Sequence, residues 1–139
     1  MISDNRGWEK GFTLIEVMVV LFIIGILAAV AIPYMRSKTD ASKWSEGKAV
    51  AGTIRTAARV YCTDMGSTYS YPGTTMAQLG FLVGDLDGKY FTDDCFSIVF
   101  NGYNDYLITV DSTKSLSGEA PASPKKMTLS SAGDFTEIP

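Results

Sequence analysis

Residues 11–33 read GFTLIEVMVVLFIIGILAAVAIP, and the architecture of the chain turns on this stretch. Between Phe12 and Ile32 only Thr13 and Glu16 are polar. A helix of about 20 such residues crosses the hydrocarbon core of a bilayer. Pattern alone leaves two readings of it. One is a transmembrane anchor. The other is a secretory signal peptide, with Arg6 and Lys10 as its basic region and Ala29-Val30-Ala31 as a small-residue cleavage site. Glu16 inside the apolar run, Asp4 and Glu9 offsetting the two basic residues, and Pro33 just past that cut all weigh against the second reading. Residues 1–11 have no apolar periodicity and read as a leader.

Downstream of Pro33 the pattern becomes amphipathic. Trp44, Gly47, Ala51, Ile54, Ala58 and Tyr61 recur at intervals of three or four, with Lys43, Lys48, Arg55 and Arg59 between them. The helix is therefore expected to continue, with Pro33, which lacks a backbone donor, as a kink rather than a stop. From Phe12 to about Cys62 it would measure roughly 75 Å, more than twice a bilayer core. Residues 63–95, punctuated by Gly66, Gly73, Gly80, Gly84 and Gly88, read as a long αβ-loop with a helical turn or two in 76–82. Strand signals follow at 95–100 and 105–110 around an Asn101–Asn104 turn, which is a hairpin. A Ser/Gly/Pro-rich link, 112–124, leads to a strand at 126–130, a turn at 131–134 and a short last strand at 135–138. The expected fold is α+β: a long N-terminal helix whose second half packs on an antiparallel sheet of three to four strands. Its parts are a leader (1–11), an apolar helix (12–33) and a head (34–139). No internal repeat is visible.

The 139 residues carry 12 basic and 15 acidic side chains, formal charge -3, and no His. Without His the chain lacks the usual general base at neutral pH and the commonest zinc ligand, which argues against triad hydrolases and zinc enzymes. The acidic balance offers no footprint for nucleic acid. The charge is also segregated: residues 34–59 hold six basic and two acidic side chains, residues 60–139 four basic and ten acidic. The stalk is basic and the head acidic.

The run Gly11-Phe12-Thr13-Leu14-Ile15-Glu16, continued by Val17-Met18-Val19-Val20 and closed by Gly25 to Pro33, resembles the N-terminal signature of type IV pilins and type II secretion pseudopilins. Helix, αβ-loop and sheet in that order are similar to the family's organisation. Tyr61, Asp64, Gly66 and Tyr69 resemble a stretch found at the helix end of many pilin-like proteins. The resemblance implies that a prepilin peptidase cuts between Gly11 and Phe12, that the new amino group of Phe12 is N-methylated, and that Glu16 is the acidic assembly residue. Its implied partners are further copies of the chain, the peptidase/methyltransferase, an inner-membrane assembly platform and, before assembly, membrane lipid. The implied location is the cytoplasmic membrane with the head outside, then a pilus or periplasmic pseudopilus. Two departures stand out. Arg36, Lys38, Lys43 and Lys48 beyond the membrane outnumber Arg6 and Lys10, so orientation rests on the motif and not on charge counting. Many pilins also carry a disulfide around the last part of the sheet, whereas Cys62 and Cys95 here bracket the αβ-loop.

In a periplasmic or extracellular head these two cysteines are expected to be bonded, closing a loop of about 34 residues for on the order of 3–4 kcal/mol. Asp85, Asp87, Asp93 and Asp94 place four carboxylates within ten residues. They are weak calcium candidates, because some pseudopilins bind calcium in the head, set against a solvated acidic turn without EF-hand spacing. The aromatic residues suit core packing, which accounts for them without an electron-conducting stack. No catalytic constellation is visible. The expected function is a non-enzymatic filament subunit, with a secretion pseudopilin as the second reading. A signal-anchored β-rich binding module is the remote one, distinguished by a mature chain beginning at Ile32 or Met1 instead of Phe12.

Overall fold

The computed structural model describes residues 11–71 and 73–138. One helix, α1, runs Leu14–Met65. By its contacts the chain divides into two units between Arg36 and Ser37.

In the first unit the side chains of α1 are exposed: Leu14 by 77%, Phe22 by 71% and Val30 by 71%. So much Val and Ile is a poor recipe for a helix in water, because β-branched side chains lose rotamer freedom there. In hydrocarbon the preference is different, since only a helix or a closed barrel satisfies every backbone polar group. It is the one described helix long and apolar enough to cross a membrane. Pro33 lies inside α1. Having no N–H, it leaves the carbonyl one turn before it without its helical donor.

In the second unit α1 buries Trp44, Gly47, Ala51, Ile54, Ala58, Tyr61 and Cys62, the stripe expected from the sequence. Gly47 lets the Phe91 ring approach closely, because a Cβ there would lie 3.0 Å from it and push the ring away. The helix outlasts the expected Cys62 and ends at Met65. Gly66, at φ +78°, stops it in the left-handed conformation with its N–H donating to Cys62 O at 3.0 Å.

Four antiparallel strands pair in the order β1 (Phe96–Gly102), β2 (Asp105–Asp111), β3 (Lys126–Ser130), β4 (Phe135–Ile138). The β1–β2 turn is tighter than anticipated, with Asn104 at φ 53°. Alternation along the strands sends Phe96, Phe100, Tyr106, Ile108, Val110, Met127 and Leu129 into one core with the α1 stripe. β4 is exposed along its length. Between α1 and β1 the described residues are loop apart from 3-10 turns at Ala77–Leu79 and Asp93–Cys95.

Side chains on α1 fasten the loop and sheet to the helix. Glu46 Oε1 accepts from the N–H groups of Tyr90 (2.8 Å) and Phe91 (3.1 Å). Gly88 runs so close to that carboxylate that a Cβ there would force it to shift. Arg55 donates through Nε and Nη2 to Ser131 O (3.1 and 3.0 Å) and through Nη2 to Ala132 O (2.9 Å), closing over the β3–β4 turn. Trp44 Nε1 donates to Pro124 O at 3.0 Å. Each of these satisfies carbonyls or amides in irregular segments that no ladder could reach.

Candidate functional site

The start of α1 is where the sequence concentrates chemistry. Thr13 precedes the first helical residue, and Glu16 is the third residue of the helix. Glu16 Oε2 accepts from Thr13 N–H (2.8 Å) and Thr13 Oγ1 (2.8 Å), while Glu16 N–H donates to Thr13 Oγ1 at 3.3 Å. This is a reciprocal capping box, in which two otherwise orphaned amide groups are satisfied and a carboxylate sits at the positive end of the helix dipole. The Thr-x-x-Glu spacing that signals it was present in the sequence but was overshadowed by the hydropathy. Glu16 is not left bare among apolar side chains: its own helix terminus holds it.

Gly11 and Phe12 lie just before this cap. Among the described residues, nothing approaches within 4 Å of where a Gly11 Cβ would be, so packing against them does not demand a glycine there. Phe12 is 87% exposed. The residues before Gly11, including Arg6 and Lys10, lie outside the described residues.

Cys62 and Cys95 are buried, and both are free thiols. The bridge expected between them is not formed in the structure. Each thiol is accommodated as a small apolar group in the core, with Cys95 Sγ 3.8 Å from Thr92 Oγ1. Asp85, Asp87 and Asp93 spend their carboxylates on loop amides. Asp85 Oδ2 accepts from Leu82 N–H (2.8 Å), Asp87 Oδ1 from Asp93 N–H (2.8 Å), and Asp93 from Leu86 N–H (2.9 Å) and Gly84 N–H. Among the described residues no three acidic, Cys or His side chains converge to hold a metal ion. Asp94 is exposed.

The Tyr61–Asp64–Gly66–Tyr69 stretch has a structural use. Tyr61 and Tyr69 meet edge to face at 6.3 Å, and both pack on Tyr71, whose O–H donates to the carbonyls of Cys62 and Gly66. Burial raises the Tyr71 hydroxyl above its ordinary pKa of 10.0, as suits a donor held in the helix C-terminal cap.

Residues 9–32 match the family description "Prokaryotic N-terminal methylation motif". Over 70 residues the chain is 41% identical to a type II secretion system core protein G of Pseudomonas aeruginosa, covering 50% of this chain and 47% of that protein. It is 47% identical over 82 residues to the fimbrial protein EcpC of Eikenella corrodens, 59% of this chain and 50% of that one. Against a type IV major pilin protein PilE1 of Neisseria gonorrhoeae it is 38% identical over 82 residues, 59% and 37% of the two chains. The chain thus spans half or less of the length of these relatives. No solved structure matches it significantly.

Proposed function

Because the chain belongs to the family of type IV pilins and type II secretion pseudopilins, we propose that it is a structural subunit that polymerises through its N-terminal helix into a pilus or pilus-like filament. One observation carries the reading: the apolar residues of α1 are exposed as a continuous surface that begins at a capped carboxylate. Such a surface persists only in lipid or against other copies of itself.

The order of events is the one that the family resemblance implies. In the cytoplasmic membrane, lipid covers residues 12–33 and the head lies outside. A prepilin peptidase cuts after Gly11, and the amino group of Phe12 is methylated, which keeps its positive charge. On the inner-membrane assembly platform a copy rises beside the last one incorporated. In the correct register its Phe12 ammonium meets the neighbour's Glu16. Leaving lipid and water for the filament core strengthens that attraction and penalises any register that leaves the charges apart. The cap on Glu16 holds the carboxylate at the helix start, so its rotamer is already selected before the partner arrives. Nothing in this sequence of events asks the chain to catalyse a reaction.

Mass spectrometry of the mature N-terminus combined with electron microscopy of sheared cell surfaces tests this. N-methyl-Phe12 in surface filaments is the expected result, and a mature chain starting at Met1 or Ile32 overturns it. The second reading, a periplasmic secretion pseudopilus, is favoured by the identity to a secretion core protein G. It predicts that deletion abolishes protein secretion while surface fibres persist.

A further inference from the structure

The second unit has apolar surface in water of its own, in two pieces of opposite shape. The first is a groove of about 510 Å³ between α1 and the loop, walled by Thr56, Ala57, Val60, Leu79 and Phe81. The outward face of a surface helix is normally charged or polar, and this one, although Asp64 lines it at one end, is otherwise made of small and β-branched residues. Its threonines do not relieve that. Thr53 Oγ1 donates to Ala49 O (3.2 Å), Thr56 Oγ1 to Gly52 O (3.0 Å) and Thr63 Oγ1 to Arg59 O (2.9 Å). With their hydroxyls turned onto the helix, these residues offer methyl groups to solvent. Val60 is 56% exposed.

The second piece is a projection. Leu82 is 74% exposed and Val83 101%. Their turn is fixed by the loop carboxylates described above and by Gly84 at φ +95°. A preorganised apolar tip loses little conformational entropy on docking.

We propose that the Leu82–Val83 turn of one copy seats in the α1 groove of the next. This rests on the filament reading. A single chain that carries both an apolar projection and an apolar groove has the two halves of a heterologous contact, which propagates open-endedly instead of closing as a pair. Groove and projection both belong to the second unit, so each copy carries both. Charge does not decide the match. Asp85 and Asp87 beside the projection are exposed, Asp64 lines the groove, and Arg59 borders an adjoining hollow that shares Thr56, Val60 and Asp64 with it. An anionic lipid surface would be repelled by the same two carboxylates.

The test uses the full chain in cells that assemble it, with a photo-crosslinking amino acid at position 83 and with the variants Val83→Glu and Val83→Glu/Val60→Lys. Expected are dimer adducts mapping to residues 56–60 or 79–81 of a second copy. Filament yield should fall by about tenfold or more for Val83→Glu and recover in the double variant. Circular dichroism and membrane content should be unchanged, because both side chains are on the surface. Adducts mapping elsewhere on the chain, to lipid or to a different protein, overturn the contact while leaving the filament reading intact. So does wild-type yield from Val83→Glu. A wild-type chain that makes no filament at all overturns that reading, and this contact with it.

Discussion

Glu16→Gln separates two jobs that Glu16→Ala confounds. The side chain of Glu16 makes two hydrogen bonds to Thr13, and Thr13 returns one to the Glu16 amide. Glutamine supports the same capping box, so helix initiation should survive. Alanine removes the box, at roughly 0.5–2 kcal/mol on the scale of other lost caps. What glutamine lacks is the charge. A hydrogen bond to an ionised group contributes about 1.5–3 kcal/mol, and leaving one member of a buried pair alone costs about 3–5 kcal/mol. For Glu16→Gln the stranded group would be the Phe12 ammonium. At about 1.4 kcal/mol per decade, these figures predict filament yield at least about tenfold below wild type, with processing intact. Glu16→Ala should be lower still, and Glu16→Asp milder than either. The assay is sheared-filament mass per cell, read together with the mass of the mature N-terminus. Wild-type yield from Glu16→Gln refutes the charge pairing. If only alanine were defective, the cap alone would account for the residue. Failure to process Glu16→Gln would mean that the carboxylate acts earlier, in recognition by the peptidase.

The other predictions concern processing, redox state, salt and acid. Replacing Gly11 with Trp should leave uncut precursor in the membrane with its head folded, since the fold has open space there; mature filaments from that variant would refute the cleavage site. Two buried free thiols should be slow to label in the native protein and both label in denaturant without reductant; labelling that requires reduction would restore the Cys62–Cys95 bridge. If the basic residues 36–48 of one copy attract acidic heads of the next, filaments should shear more readily at high ionic strength, by ~0–1 kcal/mol per exposed pair; indifference to salt counts against it. Asp111 is buried, which pushes its carboxyl up, but bonds from Thr113 and from Lys126 at 3.0 Å outweigh this and hold it below the ordinary 3.8. A depressed folded pKa contributes stability above the unfolded value that is lost as pH falls through the folded one. Asp111→Asn should therefore flatten the acid side of the head's stability curve below about pH 4, and an unchanged slope would refute the assignment.

The stripe Trp44, Ala51, Ile54, Ala58, Tyr61 was legible because a helix half in water must repeat its apolar residues at its own period. The strands at 126–130 and 135–138 were legible because alternation and turn residues mark them locally. The Cys62–Cys95 expectation came from compartment and count, which say nothing of where two side chains point. Arg55 and Glu46 were invisible for a related reason. Their partners are backbone groups of Ser131, Ala132, Tyr90 and Phe91, and a carbonyl or amide carries no residue identity. Composition cannot announce such a contact, which only the folded path of the chain creates.

The four loop aspartates show how much of an acidic cluster a loop's own backbone can occupy. In sequence they look like a ligand set because carboxylates are scarce and expensive to gather. In the structure three of them accept from amides of a loop that has no ladder to bond with: Leu82, Gly84, Leu86 and Asp93. An acidic side chain is the cheapest acceptor for an exposed turn amide, since solvent keeps it charged and its reach is short. The cluster is thus accounted for by what the backbone of residues 82–93 needs. Those bonds bracket the turn on which Leu82 and Val83 stand out in water.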